Sequence, residues 1–172
     1  MTNPLPSTEP REKTIIMAEI MTPDMANFYG NVHGGHLLSF LDKVAYACSA
    51  RYSSLNTVTL SVDQVIFKEP IHVGELVLCY ASVNYVGKTS MEIGIRVMAE
   101  NLHSKQRRHT NTCYFTMVAV DDRGKPIPTP PLELTNDAER RRFAEAQARR
   151  ELRLSYQMKM QELKTAGKTK NV

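Results

Sequence analysis

The chain has 172 residues, of which 42% are hydrophobic, and carries a formal charge of +4. That length suits one domain with one core. Such a composition excludes a disordered or low-complexity chain. The small positive excess suits an anionic small molecule or weak nucleic-acid contact, but much of it lies in the C-terminal run ERRRFAEAQARRELR and says little about the centre of the chain.

In chain order, residues 1–13 are polar and proline-rich, without an apolar leader core, and are expected to form a flexible arm. TIIMAEIM (14–21) is short, apolar and β-branched at its start, which predicts a strand. TPDMANFYGN then supplies turn residues. From Leu37 the apolar residues recur at Leu37, Leu41, Val44 and Cys48, with Leu38, Phe40 and Ala45 alongside. This is the stripe of an amphipathic helix ending near residues 52–54. Gly34 and Gly35 are expected to turn the backbone sharply into it.

Strand patterns follow. In residues 56–70 the alternation Val58, Leu60, Val62 slips phase to Val65 and Phe67, which predicts a β-bulge near Asp63 and Gln64. Residues 76–86 and 90–101 flank the turn GKT as a hairpin. In its second arm Met91, Ile93, Ile95, Val97 and Ala99 share one face, and Glu92, Gly94 and Arg96 the other. Residues 107–122 form the last long strand, ended by GKPIPTPP. Residues from 136 to about 163 predict a charged helix capped by Thr135, Asn136 or Asp137. One long helix against an antiparallel sheet is an α+β layer arrangement. It cannot cover all of the sheet's apolar surface, so self-association is expected.

Cys48, Cys79 and Cys113 are odd in number and far apart, each in an apolar run; they are expected to be reduced core thiols of a cytoplasmic protein. No run approaches the roughly 20 apolar residues of a membrane span. The five histidines make no metal-binding pattern, and neither GxSxG nor an exposed reactive cysteine is present.

The chemistry concentrates in NVHGGHLLSFLD. A helix N-terminus points unpaired N–H groups forward, and glycines there let a ligand approach the backbone. That suits an anion, or a carbonyl oxygen that becomes an oxyanion. Asp42 lies at the edge of the apolar stripe, beside Leu38, Ala45 and Ser49, where it can meet another chain. A solvated aspartate and an ordinary glycine turn are the alternatives that pattern alone leaves open.

The runs ANFYGNVHGGHLLSFLDKVAYACSARY, TLSVDQVIFKEPIHVGELV, NYVGKTSMEIGIRV and HTNTCYFTMVAVDDRGKPIPTPPL resemble the hotdog-fold acyl-CoA thioesterases, in particular the YciA-type and cytosolic acyl-CoA hydrolases. The resemblance spans about residues 15–132. It implies a hotdog domain over 14–132, a long central helix wrapped by an antiparallel sheet, followed by the charged helix and tail of 133–172. It implies hydrolysis of an acyl-CoA thioester to free fatty acid and CoA, with no cofactor beyond the CoA of the substrate and no metal. It implies dimers assembled as a trimer of dimers, a homohexamer; from the sequence itself neither a membrane nor a nucleic-acid partner is expected.

The family's catalytic pair maps onto Asn27 and Asp42, each facing one site from a different subunit. Asn31 is the neighbouring alternative to Asn27. By the same resemblance, Gly34 and Gly35 would offer N–H groups to the thioester carbonyl. Asp42 would activate water as general base or attack directly to give an anhydride. Asn31, His33, Lys68, Arg96, Arg107 and Arg108 are candidates for binding substrate or the phosphates of CoA, the cations by charge alone. Three other readings stand beside this one: a non-catalytic acyl-CoA or nucleotide sensor on the same fold, a hotdog hydratase, whose Asp–His motif is absent, and nucleic-acid binding by the C-terminal helix, whose positive charge Glu139, Glu145, Glu151 and Glu162 interrupt.

Overall fold

In a computed structural model, residues 11–169 are described. They divide into two units between Pro131 and Leu132. The first contains β1 (Thr14–Ile20), a single 3-10 turn (Pro23–Met25), α1 (Gly34–Ser53), β2 (Asn56–Val62), β3 (Leu76–Val86), β4 (Ser90–Glu100) and β5 (Arg107–Val120). The strands form one antiparallel sheet in the order β1-β3-β4-β5-β2. Helix α1 packs against every strand.

The core follows from the two periodicities. On α1, Leu37, Leu41, Val44, Ala45, Cys48 and Tyr52 are buried. They meet a sheet face that includes the predicted β4 row Met91, Ile93, Ile95, Val97 and Ala99, all fully buried, with Cys113, Phe115 and Met117 on β5. Each large apolar side chain so buried contributes about 1.5–3 kcal/mol from removal of its surface from water. The three cysteines lie in this core as free thiols, and burial pushes each pKa up to about 12; the neighbouring Cys113 and Glu19 push Cys79 in the same direction.

The structure corrects three readings and adds one finding. Residues 1–10 of the expected arm lie outside the described residues, but its last three are tied down. The Lys13 carbonyl accepts from Val83 N–H at 2.9 Å, and the Arg11 guanidinium donates to the Tyr52 carbonyl at 3.0 Å. Helix α1 starts three residues earlier than its apolar stripe, because a cap sets the start. On β2 the apolar alternation points outward: Val58, Leu60 and Val62 are exposed, while Thr57 is buried. Thr57 and Ser49 share a buried hydroxyl hydrogen bond of 2.7 Å, so hydroxyls of this edge strand, rather than its branched apolar residues, face the helix. Finally, the bulge falls between Thr59 and Ser61, opposite Met117 and Thr116. Residues 63–70 leave the ladder and are held to β5 by Asp63 N–H to the Tyr114 carbonyl (3.0 Å) and Lys68 N–H to the Thr110 carbonyl (3.3 Å).

The second unit is dominated by α2 (Asp137–Thr169), longer than expected. Asn136 caps it: its Oδ1 accepts from Glu139 N–H at 3.0 Å, while the Glu139 carboxylate reaches back to Thr135 N–H at 2.8 Å. Arg140–Asp137 (3.0 Å) and Arg141–Glu145 (2.7 Å) pairs support its first turns. Among the described residues no helix is long and apolar enough to cross a membrane.

Candidate active site

A tight turn precedes α1. Asn27 N–H donates to the Asn31 carbonyl at 2.6 Å, Gly30 N–H to the Asn27 carbonyl at 3.0 Å, and Ala26 bridges Val32. Gly30 has φ +79°, the left-handed conformation that closes such a turn and that glycine adopts without strain. The Asn27 side chain seals it: Oδ1 accepts from Tyr29 N–H (2.9 Å) and Asn31 N–H (3.2 Å). With its oxygen doubly engaged, Asn27 presents its Nδ2 donors.

His33 is the N-cap of α1, and its Nδ1 accepts from Gly35 N–H at 2.9 Å. This changes the expected role of the glycines. Gly34 and Gly35 are the first two helical residues and neither has positive φ, so they make no sharp turn. Gly35 leaves room for the cap: a Cβ there would stand 3.0 Å from the capping imidazole, which would have to give by a few tenths of an ångström. Its N–H, expected to face a substrate carbonyl, is held by that ring. Gly34 N–H, at the first helical position, cannot bond within the helix and is the donor that remains.

These residues open onto a cleft of about 260 Å³, lined by Asn27, Asn31, Gly34, Leu37, Phe67 and Thr110 among others. Two carboxamides and a helix N-terminus therefore share a small pocket with apolar walls, an arrangement suited to a carbonyl group with an apolar substituent.

Asp42 does not line this cleft. It is exposed on α1, and its Oδ1 accepts from Thr59 Oγ1 at 2.6 Å. That bond orients the carboxylate and leaves Oδ2 open. Eight residues separate Asp42 from Gly34, a rise of about 12 Å along a helix. Within one chain the carboxylate and the donors of the cleft thus stand at different places. Thr59 carried no signal in the sequence, since a lone threonine in a strand pattern reads as an ordinary strand former.

The proposed phosphate-binding cations separate in the structure. Arg108 is not available to a phosphate: its Nη1 and Nη2 clasp the Glu75 carboxylate at 2.5 and 2.6 Å, and Nη2 also donates to the Pro70 carbonyl at 2.6 Å. Glu75 is 4% exposed. Burial pushes its carboxyl pKa up, but hydrogen bonds from Arg108 and His72 N–H, with the arginine's charge, outweigh that and hold it below the usual value. Arg107 is engaged with Glu100 at 2.6 Å. Lys68 and Arg96 are exposed; Arg96 stands on the face of β4 opposite the core row, as expected. His33 is occupied at Nδ1 by its cap. Asn31 accepts at Oδ1 from His72 Nδ1 at 2.9 Å and lines the cleft. No cluster of three or more potential metal-ligating side chains occurs among the described residues.

A helix wrapped by a five-stranded antiparallel sheet, with a donor-lined cleft at its N-terminus, defines the hotdog class of proteins. Residues 29–105 match the Thioesterase superfamily model. Protein VdlD of Helicobacter pylori is 52% identical over 139 residues, covering 81% of this chain and 79% of that one. A hexameric acyl-CoA thioesterase of solved structure superposes with a TM-score of 0.81 at 34% identity, over 86% of this chain and 96% of that one. An acyl-CoA hydrolase from Staphylococcus aureus, solved with butyryl-CoA and CoA, gives 0.79 at 26% identity, over 87% and 91%. This chain belongs to the hotdog thioesterase family. For the S. aureus hydrolase, structures exist of alanine variants at one asparagine, one aspartate and one threonine, spaced along that chain as Asn27, Asp42 and Thr59 are spaced here.

Proposed function

We propose that this protein hydrolyses acyl-CoA thioesters to a free carboxylic acid and CoA. The observation that carries the reading is the pairing of a donor-lined cleft at Asn27 and Gly34 with a carboxylate, Asp42, held by Thr59 and open on its other oxygen. Three of these residues recur at the spacing of those altered in the S. aureus hydrolase.

The thioester carbonyl enters the cleft and accepts from Asn27 Nδ2 and Gly34 N–H. These donors polarise it and stabilise the oxyanion that forms on attack. Asp42 Oδ2 takes a proton from water as the oxygen attacks the carbonyl carbon. The tetrahedral intermediate collapses, the C–S bond breaks, and the proton returns to the CoA sulfur. Direct attack by Oδ2 starts from the same geometry: the C–S bond breaks, CoA leaves as its thiolate, and water cleaves the acyl anhydride, restoring Asp42 and supplying the proton to the sulfur. The acyl chain follows apolar walls such as Leu37 and Phe67. Neither route needs a metal or a cofactor apart from the substrate's own CoA.

Because Asp42 stands about 12 Å along α1 from the cleft, one site requires Asp42 from a second copy. The exposed apolar residues Val58, Leu60 and Val62 on edge strand β2 suit that contact, which joins two sheets into one. The hexameric relatives support assembly as a trimer of dimers. The reduced core thiols suit the cytoplasm.

The test is CoA release from short, medium and long acyl-CoAs by wild type and Asp42→Ala, with the oligomer checked for both. A loss of roughly 10²-fold or more in kcat is expected for the variant. A wild type that binds CoA but hydrolyses nothing would sink this reading and leave a sensor on the same fold.

A further inference from the structure

Asn27 and Asn31 bracket the same turn and line the same cleft, and the oxygens of both carboxamides are already used. Asn27 Oδ1 accepts two backbone N–H groups, while Asn31 Oδ1 accepts from His72 Nδ1 at 2.9 Å. What each can offer a ligand is therefore its NH₂ group. The Gly35 N–H that would otherwise serve is spent on the His33 cap.

We infer that Asn31 is a second substrate-contacting residue, whose Nδ2 donates to the thioester carbonyl beside Asn27, and that His72 is the positioning residue that turns this donor into the cleft. The inference rests on the thioesterase reading above. His72 is suited to the task because it is anchored at both ends. Its backbone bridges Asn31, and the adjoining Ile71 carbonyl accepts from Val32 N–H at 2.8 Å. Its own N–H donates to Glu75 Oε2 at 2.8 Å, and Glu75 is clasped by Arg108. A continuous path thus runs from β5 through an ion pair with a buried carboxylate to a carboxamide in the cleft. Arg108, whose charge suggested a phosphate ligand, serves the reaction at a distance.

The imidazole donates from Nδ1 in the Nδ1–H neutral form and in the imidazolium alike. Either form fixes Asn31 Oδ1 as acceptor and leaves Nδ2 for the substrate. Asn31→Asp keeps the shape and replaces the donor with an acceptor of negative charge. A donor to the developing oxyanion contributes about 10²–10³-fold to kcat, so Asn31→Asp should lower kcat by on the order of 10²-fold with KM little changed, and Asn31→Ala by somewhat less.

Steady-state kinetics on the full chain with an acyl-CoA that wild type turns over decides it. Six proteins are compared: wild type, Asn31→Asp, Asn31→Ala, His72→Ala, His72→Gln and the Asn31→Ala/His72→Ala double variant, each checked for melting temperature and oligomer size. His72→Ala should lose about 10-fold in kcat through misaligned Asn31, and should lose nothing more once Asn31 is alanine. His72→Gln, which can offer an amide N–H to the same oxygen, should recover part of the loss. Unchanged kcat in a folded Asn31→Asp overturns the inference for Asn31. An equal loss from His72→Ala with and without Asn31 makes His72 merely structural and overturns its positioning role. A wild type that releases no CoA fails at the earlier step: it overturns the thioesterase reading and this inference with it.

Discussion

A cysteine's chemistry depends on the thiolate, and here burial removes the thiolate. Cys48, Cys79 and Cys113 sit at 0–1% exposure with pKa values pushed up to about 12. At pH 8 iodoacetamide should therefore label the unfolded chain within minutes and the folded one at least about 10³-fold more slowly, read by mass spectrometry. Rapid labelling of any one thiol in the folded protein would contradict its core position. The linkage has a definite sign. A pKa raised from near 9 to about 12 adds stability that is present below pH 9 and is lost as pH rises between those values. At this scale the sequence was most informative where a residue type is unusual for its place. An acid on an apolar helix edge and glycines at a helix entry drew attention to Asp42, Gly34 and Gly35. Thr59 stayed hidden because its role lies in one hydrogen bond across the fold, and residue type alone does not encode that.

Elements obey patterns, and they depart from pattern where polar residues face inward. The apolar stripe of α1 and the row on β4 were legible because burial selects them by period. The start of α1 was not, because His33 capping has no apolar signature. The facing of β2 has a related cause: the side of the strand toward α1 carries hydroxyls, with Thr57 bonded to Ser49 and the exposed Thr59 bonded to Asp42. The loop 70–75 shows the same logic at higher energy. Its fold depends on Glu75, which receives Arg108 and His72 N–H. Glu75→Gln should cost about 1–3 kcal/mol at pH 7, since an amide keeps some hydrogen bonding but loses the charge partner. The native carboxyl pKa lies below its ordinary value of 4.5. The pair's contribution is thus present above that pH and is lost as pH falls through the lower native value, because the unfolded chain takes up the proton first. Urea unfolding from pH 7 down to pH 3 should show the gap between wild type and Glu75→Gln closing over the acid end. A gap that stays constant throughout would assign the cost to shape rather than charge.

For the whole molecule, the decisive question is whether one chain holds one site. The element order and the single-helix layer were readable from the sequence, whereas the separation of Asp42 from Asn27 and Gly34 follows from a helical length. Asn27 and Gly34 stand at one end of α1, Asp42 eight residues along it, and no side chain spans a rise of about 12 Å. If two copies share each site, damage on opposite sides of the seam is repairable. Asn27→Ala and Asp42→Ala should each be nearly inactive alone. Co-expressed in equal amounts, they form mixed dimers in which one site carries both lesions and the other carries none. Random pairing makes half of the dimers mixed, with one sound site in two, so activity should recover to roughly a quarter of wild type. Two tags, one on each variant, allow the mixed species to be purified, and it should show about half of wild-type activity per site. The same geometry predicts no recovery when the two lesions lie on one chain and the partner chain carries Asp42→Ala, because every site then lacks its carboxylate. If purified mixed dimers were as inactive as their parents, Asn27 and Asp42 would have to work within one chain, and the cleft would need another base.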